Sequence, residues 1–470
     1  MSSEEKVDTS TGLSRVRTID NPRHPSHFSA IRKTHIVLVG LICVFNGNLG
    51  SSLPSGAVES LATYFNIPST STLLVLPNSL YLVGYTVSPL FMGPLSETFG
   101  RRPIMVGSFI FYMLFTLCCA VSPTFTGLLI CRLLAGVSAA VPNAVNSGLY
   151  GDIFTDPRRC GQAIATFMLF GAQGPLTGPL ISGYVAVNLG WRWVFWVGVI
   201  IAGAMSPIVV LLPETYFPVL EEKLRERESD GERVDGRVAL IMHRVSDSLK
   251  RPFLMMIKEP LLSLTSLYLA LVYALQYMFF QAYPIIFRGI YGLQIDEIGL
   301  SYIPIMFGVV IAFFIFSWYS WYHEKALTGG KPWASVPELR RLPLAWLGGP
   351  LLPVALLIQG FTARESIHPA VSMVVPGILF GIGYSTVFLA MIIYLADVYK
   401  KYAASAQAAS STTRSLLAVC LPFAAPSMYG VLGVKWASVV FAVISALMAL
   451  IPFAFVMFRK HLQARSAFAG

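Results

Sequence analysis

Long apolar runs alternate with short polar breaks along almost the whole chain. A helix of about 20 apolar residues spans the hydrocarbon core of a bilayer, which is about 30 Å thick. Irregular backbone at that depth would leave N–H and C=O groups without partners, so each run is predicted to be a helix. The pattern predicts an all-α membrane protein with twelve transmembrane helices, which begin near residues 36, 74, 103, 126, 160, 192, 260, 298, 343, 369, 404 and 435.

One polar break, residues 216–257, is much longer than the others and rich in charge. It leaves six predicted spans on each side, which marks it as a linker between two bundles. The predicted divisions are a disordered cytoplasmic N-terminal tail at 1–35, a six-helix bundle at 36–215, a cytoplasmic central loop at 216–257, a second six-helix bundle at 258–460 and a cytoplasmic C-terminal tail at 461–470. The N-terminal tail has no apolar core, so no cleavable signal peptide is expected.

The composition agrees with a membrane protein and disfavours other classes. Hydrophobic residues make up 55% of the chain and charged residues 12%, whereas soluble domains carry about 25% charged residues. The net charge of +10 does not indicate nucleic-acid binding, because no basic segment is interleaved with aromatic residues. The six cysteines lie in or beside apolar runs without metal-ligand spacing, so they are interpreted as packing residues. No triad, metal cluster or phosphate loop suggests an enzyme.

Lysine and arginine are distributed very unequally between the two sides of the predicted bundle. Of the 34 residues, 28 fall on the side that carries both termini and the central loop, 4 fall on the other side, and Arg132 and Arg414 lie within spans. Cytoplasmic loops of membrane proteins retain positive charge. Both termini are therefore predicted to be cytoplasmic, which also accounts for the pI near 9.3.

The two predicted bundles repeat several sequence features at a nearly constant offset. Asp152 ends the fourth span and Asp397 ends the tenth, each in a segment that begins with tyrosine. The proline pair of the fifth span, Pro175 and Pro179, recurs in the eleventh as Pro422 and Pro426. Such parallel repeats predict two pseudo-symmetric halves that rock around a site near the bilayer midplane. This organisation is typical of transporters.

The loop between spans 2 and 3 reads GPLSETFGRRP over residues 93–103. It resembles the signature of the major facilitator superfamily, which implies the major facilitator fold and a cytoplasmic ionic latch. We expect Gly93 to permit close helix contact and Gly100 to permit a tight turn; Glu97 replaces the usual aspartate and Thr98 a frequent arginine. A role for the two arginines in topology alone is the alternative. The expected latch residues are Gly93, Glu97, Gly100, Arg101, Arg102, Asp152 and Asp397.

The fourth span carries Arg132 in a segment that resembles the second motif of the same family. An arginine inside a span costs about 3 kcal/mol on insertion scales, so its side chain should face the bundle interior or water. We expect a role in substrate binding or proton coupling. A structural hydrogen-bond hub is the alternative.

The fifth span resembles the antiporter motif of twelve-span drug:proton exporters in that family. Gly174 and Gly178 form a small-xxx-small face for close helix approach, and the prolines break the backbone ladder. Ser182 stands where a trailing glycine is expected. The resemblance favours efflux over uptake. The motif residues are Gly171, Gly174, Pro175, Gly178, Pro179 and Gly183.

A further resemblance is to fungal-type multidrug, polyamine and metabolite exporters of this branch, over residues 36–460. It rests on WRWVFW at 191–196, PET at 213–215, KEP at 258–260, PELRRLP at 337–343 and AASA at 403–406. Sugar carriers have a different signature after the sixth span, so a sugar porter is disfavoured.

Polar and aromatic residues near the middle of spans are the candidates for a substrate cavity. No acidic residue lies in the middle of any span, and the embedded charges are both arginines. Because a desolvated ammonium must be paired, neutral amphipathic or anionic small molecules are favoured over polycations. The expected substrate or coupling residues are Asn46, Asn48, Arg132, Gln173, Tyr273, Gln276, Tyr277, Phe280, Tyr384 and Arg414.

Together these patterns predict a secondary active exporter of drugs, toxins or secondary metabolites. No cofactor is expected, and the proton gradient is the predicted energy source, with Glu59, Asp152 or Asp397 as the titrating group. Facilitated diffusion and proton-coupled import remain open, as does, more remotely, a non-transporting sensor. The predicted setting is the plasma membrane, as a monomer with no nucleic-acid partner.

Overall fold

The structure is a computed structural model that describes residues 24–68, 71–221, 251–399 and 403–457. Within these residues, eleven helical segments are long and apolar enough to cross a membrane. They are α1 (Ala30–Tyr64), α2 (Thr72–Phe99), α3 (Arg101–Val121), α4 (Phe125–Ile153), α5 (Arg158–Leu189), α6 (Trp191–Val210), α7 (Pro260–Tyr291), α8 (Ile295–Thr328), α9 (Leu342–Thr362), α10 (Pro369–Val398) and a last segment, Ser405–Met457.

The last segment contains two spans. Its 53 residues would extend about 80 Å as one helix, far more than a bilayer requires. Gly433 lies inside it with φ 70° and ψ 167°, outside the helical region. We therefore name residues 405–432 α11 and residues 434–457 α12. The predicted all-α fold with twelve spans is confirmed.

Local sequence explains where several helices begin. Ser29 accepts a hydrogen bond from the Arg32 amide and starts α1 earlier than its apolar run predicts. Thr124 accepts one from the Gly127 amide at the start of α4. Gly190, with φ 86°, makes the sharp turn between α5 and α6. Gln294 and Glu297 form a capping box at the start of α8.

Two spans contain breaks in their α-helical geometry. In α1, residues Leu53–Ala57 form a 3₁₀ turn, and in α7, residues Pro284–Arg288 form a π-helical turn. Each begins where a proline removes a backbone donor. Both lie toward the end of the bundle where α1 joins α2 and α7 joins α8. We call this the opposite end, and we call the end where α2 joins α3 and α8 joins α9 the latch end.

Burial separates helices that face lipid from helices that face the interior. Large apolar side chains such as Phe111, Phe314 and Trp318 are more than half exposed, which suits contact with lipid tails. In contrast, α1, α7 and α10 are mostly buried. These three helices therefore lie at the centre of the molecule, where the first half (α1–α6) meets the second half (α7–α12).

Most of the predicted central loop and tails lies outside the described residues. Positions 1–23, 222–250 and 458–470 belong to this group. The predicted domain boundaries stay predictions.

Candidate functional site

A small cavity of about 70 Å³ lies between the two halves. The first half contributes residues of α1, α2, α4 and α5, and the second half contributes residues of α7, α10 and α11. The lining is Val44, Asn48, Tyr85, Asn143, Phe167, Met168, Gly171, Ala172, Tyr273, Tyr384, Phe388, Ile392, Gln407, Ser411, Arg414 and Ser415. We call this space the central cavity.

Arg414 supplies a positive charge to the central cavity. Its guanidinium carbon lies 4.8 Å from the centre of the Phe388 ring and 6.0 Å from the centre of the Tyr273 ring. Its Nη1 atom is buried without a hydrogen-bond partner among the described residues. No described carboxylate forms an ion pair with it. The guanidinium therefore lies against aromatic rings at the wall of the central cavity.

Aromatic rings form the wall of the central cavity on the side of the second half. Tyr384 and Phe388 stack with centroids 5.4 Å apart, and Phe388 also stacks on Tyr273 at 6.1 Å. The Tyr273 hydroxyl donates to the Tyr277 hydroxyl at 3.3 Å. The Tyr277 hydroxyl in turn lies 2.7 Å from Ser51 Oγ in the first half. One hydrogen-bond chain thus joins this wall to α1.

Four of the predicted cavity residues line the central cavity: Asn48, Tyr273, Tyr384 and Arg414. Asn48 donates to the Gly171 carbonyl at 2.9 Å, while its Oδ1 is buried without a partner among the described residues. Several lining residues were not predicted. Gln407 and Ser411 are two of these, and they precede the predicted Arg414 by seven and three residues on one face of α11, a helical period that could have identified them.

The other predicted cavity residues lie elsewhere. Asn46 donates within the first half, to the Ile42 carbonyl at 2.9 Å. Gln173 donates to the Met306 carbonyl at 3.0 Å and so joins α5 to α8. Gln276 is buried, with both amide atoms unpartnered among the described residues. Phe280 lines a separate cavity of about 250 Å³ at the opposite end.

Arg132 is a hydrogen-bond hub of the first half and does not line the central cavity. Its Nε donates to the Pro77 carbonyl at 2.8 Å, its Nη1 to the Gly50 carbonyl at 2.8 Å and its Nη2 to the Ser51 carbonyl at 3.2 Å. Its guanidinium carbon lies 4.3 Å from the Tyr81 ring centre. This geometry favours the structural alternative over direct contact with substrate, because the 3₁₀ turn of α1 leaves carbonyls that need donors.

The glycines of α5 allow close approach to α1. A Cβ at Gly174 would lie 2.7 Å from Asn48 Cβ, and a Cβ at Gly178 would overlap Ser52 Oγ. At the opposite end, a Cβ at Gly183 would lie 2.8 Å from the Ile295 carbonyl oxygen of the second half. Pro175 and Pro179 lie inside one continuous helix. The motif therefore brings α5 close to α1 and to α8.

Only some of the expected latch residues contact one another. Arg101 is buried and lies 3.4 Å from Asp152 and 3.9 Å from Glu97, whose side chain is half exposed. Gly100 has φ 98°, which permits the predicted tight turn. The expectation for Gly93 is wrong: a Cβ there would meet nothing within 4 Å, so no close helix contact requires this glycine.

Glu214 completes the latch, and its role was not predicted. Its carboxylate accepts from the amides of Arg101 and Arg102 at 2.9 and 3.2 Å, which caps the start of α3. It also accepts from the amides of Thr215 and Tyr216. In the sequence the PET segment indicates only a family resemblance, because nothing there shows that residue 214 folds back onto residue 101.

The second half repeats the pairing of arginine with aspartate. Arg341 lies 3.3 Å from Asp397, as Arg101 lies 3.4 Å from Asp152 in the first half. Both pairs lie at the latch end and join the start of one span to the end of another. The internal repeat predicted from residue spacing therefore corresponds to equivalent ion pairs.

Further ion pairs join the two halves at both ends of the molecule. At the latch end, Arg158 of α5 lies 3.3 Å from Glu324 of α8, beside a cavity of about 610 Å³. At the opposite end, Glu59 of α1 pairs with Arg288 of α7. We call these the gate pairs. The central cavity is lined by residues from the middle of the spans, so it lies between the two gate pairs.

The family of this chain is identified by comparison with known proteins. A family model described as the Major Facilitator Superfamily matches residues 40–363. The MFS-type transporter paaT of Penicillium rubens is 32% identical, covering 96% of this chain and 83% of that protein. The MFS-type efflux pump MFS2 of Trichophyton rubrum is 32% identical, covering 96% of this chain and 76% of that protein. The efflux pump FUB11 of Gibberella moniliformis is 31% identical, over 92% and 72%.

Solved structures agree with the fold. The proton:xylose symporter XylE superposes with a TM-score of 0.66 at 16% identity, covering 91% of this chain and 97% of that one. The human organic anion transporter MFSD10 superposes with a TM-score of 0.58 at 16% identity, covering 89% of this chain and 99% of that one. The matched family and the twelve spans lead to one assignment: this chain belongs to the major facilitator superfamily, and it is a membrane transporter and not an enzyme.

Proposed function

We propose that this chain exports small organic molecules by alternating access, in exchange for protons. The central cavity carries the proposal, because it is built from both halves and is separated from both ends by gate pairs. Opening one gate pair at a time would expose the cavity to one side at a time. Rocking of two halves about a midplane site is the transport mode of such repeats.

The direction of transport is argued from two observations. Relatives that match more than nine-tenths of this chain are named efflux pumps. In addition, the glycines of α5 bring this helix against α1 and α8, where the two halves meet. The names favour export, and the packing agrees with the exporter motif that the α5 sequence resembles. The excess of lysine and arginine on the side of the termini supports an orientation with the latch end in the cytoplasm of a plasma-membrane protein.

Proton coupling is assigned to the carboxylates that pair with arginines. Protonation of Asp152 or Asp397 would remove the negative charge that holds Arg101 or Arg341, and protonation of Glu59 would release Arg288. Each event weakens a contact at one end of the molecule. Neutral amphipathic or anionic molecules are the proposed cargo of a monomeric carrier, because the cavity contains a cation and no described carboxylate.

Transport by the purified full chain in proteoliposomes tests this proposal. Vesicles with an acidic lumen are offered a flat aromatic carboxylate, a neutral flavonoid and the polycation spermidine, while a lumenal pH dye follows proton movement. We expect faster uptake of the carboxylate or the flavonoid than in protein-free vesicles, together with alkalinisation of the lumen.

Three other outcomes contradict this proposal in different ways. If no compound moves faster than in protein-free vesicles, the export proposal is wrong. If movement is faster when the outer solution is acidic, the protein is a symporting importer. If uptake ignores the pH gradient, the protein is a facilitative carrier.

A further inference from the structure

The two membrane-embedded arginines have opposite environments. Arg132 donates to three backbone carbonyls through three different nitrogen atoms. Arg414 has a buried nitrogen with no partner among the described residues, and it lines the central cavity. A guanidinium stays charged in proteins and can only donate hydrogen bonds. Arg414 therefore lines the central cavity with a guanidinium that has no hydrogen-bond acceptor among the described residues.

We propose that Arg414 binds the carboxylate of a flat organic anion in the central cavity. This inference rests on the proposed transport function and names its substrate class. A planar guanidinium matches a carboxylate through two parallel hydrogen bonds. A bound carboxylate would also neutralise the charge of Arg414, which forms no ion pair with an Asp or Glu among the described residues. A polycation would bring like charge to Arg414 and would be excluded.

The rings around Arg414 define the rest of the ligand. The guanidinium lies over the faces of the Phe388 and Tyr273 rings, and Tyr384 stacks on Phe388. Such a wall favours an aromatic or other planar body next to the charged group. The cation and the ring wall belong to the second half, whereas Asn48 and Phe167 close the cavity from the first half.

The remaining polar groups recognise the carboxylate or a nearby polar substituent. Gln407 donates to the Ile392 carbonyl at 2.8 Å, which fixes its side chain beside the central cavity. Ser411 lies one turn from Arg414 on the same face of α11 and also lines the cavity. Its hydroxyl can donate to a carboxylate oxygen. Because this lining contains no described carboxylate, it can accommodate one negative charge without repulsion.

Binding by the full chain in lipid nanodiscs tests the inference independently of transport. Isothermal titration calorimetry at neutral pH compares 2-naphthoate with 2-naphthamide, which has nearly the same shape without the charge, and with 2-naphthylmethylammonium. We expect the wild type to bind naphthoate about 10-fold to 100-fold more tightly than naphthamide, the range of charged hydrogen bonds. Equal affinity for the two would overturn the inference without any variant.

Substitutions of Arg414 locate the anion site. Arg414→Gln should lower naphthoate affinity by about 10-fold or more and leave naphthamide affinity unchanged. Arg414→Lys should lie between wild type and Arg414→Gln, since it keeps the charge and loses the paired donors. The control is Arg364→Gln, which removes the same charge from an exposed position between α9 and α10. If Arg414→Gln and Arg364→Gln behave alike, another residue binds the anion.

The outcomes separate this inference from the proposed function. If compounds cross the membrane but Arg414→Gln leaves naphthoate affinity unchanged, the anion site is wrong and the transport proposal is kept. If naphthoate binds through Arg414 but no compound crosses the membrane, the site stands and the transport proposal falls.

Discussion

At the scale of single residues, the partners of a charge decide its role. Arg132 and Arg414 both lie inside spans and are indistinguishable by hydrophobic pattern. Arg132 is almost completely buried and bonded to carbonyls of α1 and α2, so it stabilises the first half. Arg414 retains an unpartnered nitrogen at the central cavity. The same residue type thus serves structure in one half and is available for binding in the other.

This contrast predicts that Arg132 contributes more to the stability of the fold than Arg414 does. Arg132→Gln should lower the thermal unfolding temperature in detergent more than Arg414→Gln does, because it leaves buried carbonyls at Gly50, Ser51 and Pro77 without donors. Each such group costs about 1–3 kcal/mol. Thermal unfolding followed by tryptophan fluorescence measures both variants. A larger loss for Arg414→Gln would contradict the assignment of Arg132 as the structural hub.

At the scale of elements, small residues let α5 pack closely against its neighbours. Gly174 and Gly178 face α1, and Gly183 faces the start of α8 across the two halves. Gly107 of α3 offers a comparison, because a Cβ there would meet nothing within 4 Å. The importance of a glycine in this molecule therefore depends on the neighbouring helix and not on its place in a motif.

Adding a methyl group to these glycines should separate the two cases. Gly178→Ala should lower both the unfolding temperature and the transport rate, because the new Cβ overlaps Ser52 and α5 must move away from α1. Gly107→Ala should leave the unfolding temperature unchanged or raise it, since alanine favours helix over glycine by about 1 kcal/mol. Equal effects of the two changes would show that α5 does not need its close approach.

At the scale of the whole molecule, the two halves meet through contacts placed at both ends. The arginine–aspartate pairs at the latch end, Arg101–Asp152 and Arg341–Asp397, each lie within one half. The gate pairs lie between the halves. The side chains of the gate pair at the latch end, Arg158 and Glu324, are about half exposed. Exposed pairs contribute about 0–1 kcal/mol. Such weak contacts can separate during each transport cycle, which suits alternating access.

Exchanging the two charges of this gate pair tests its role. Arg158→Glu and Glu324→Arg should each place like charges together and open the latch end, whereas the double exchange should restore the closed arrangement. Reaction of a cysteine introduced by Ser320→Cys, which lies in the latch-end cavity, with an impermeant maleimide reports the opening.

We expect a severalfold faster labelling in each single exchange, which is the scale of a surface ion pair, and near wild-type labelling in the double exchange. The same variants without the Ser320→Cys change give the background from native cysteines. A double exchange that labels as fast as the single ones would show that the pair does not act as a gate.

The sequence by itself determined the number of spans, the two halves and the small-residue face of α5. These features follow from hydrophobic runs, repeat spacing and glycine periodicity, which are local along the chain. The structure places the boundary between α11 and α12 at Gly433, close to the predicted start of the last span near residue 435.

The tertiary structure alone decided which candidate residues meet. The partners of Arg132 are carbonyls 55, 82 and 81 residues away, and two of the amides that bind Glu214, those of Arg101 and Arg102, lie more than 100 residues away. Every residue except proline carries the same backbone donor and acceptor, so no sequence pattern marks the ones that bind a distant side chain. The cavity exists only where helices from both halves pack together, and packing alone left Arg414 with free donors.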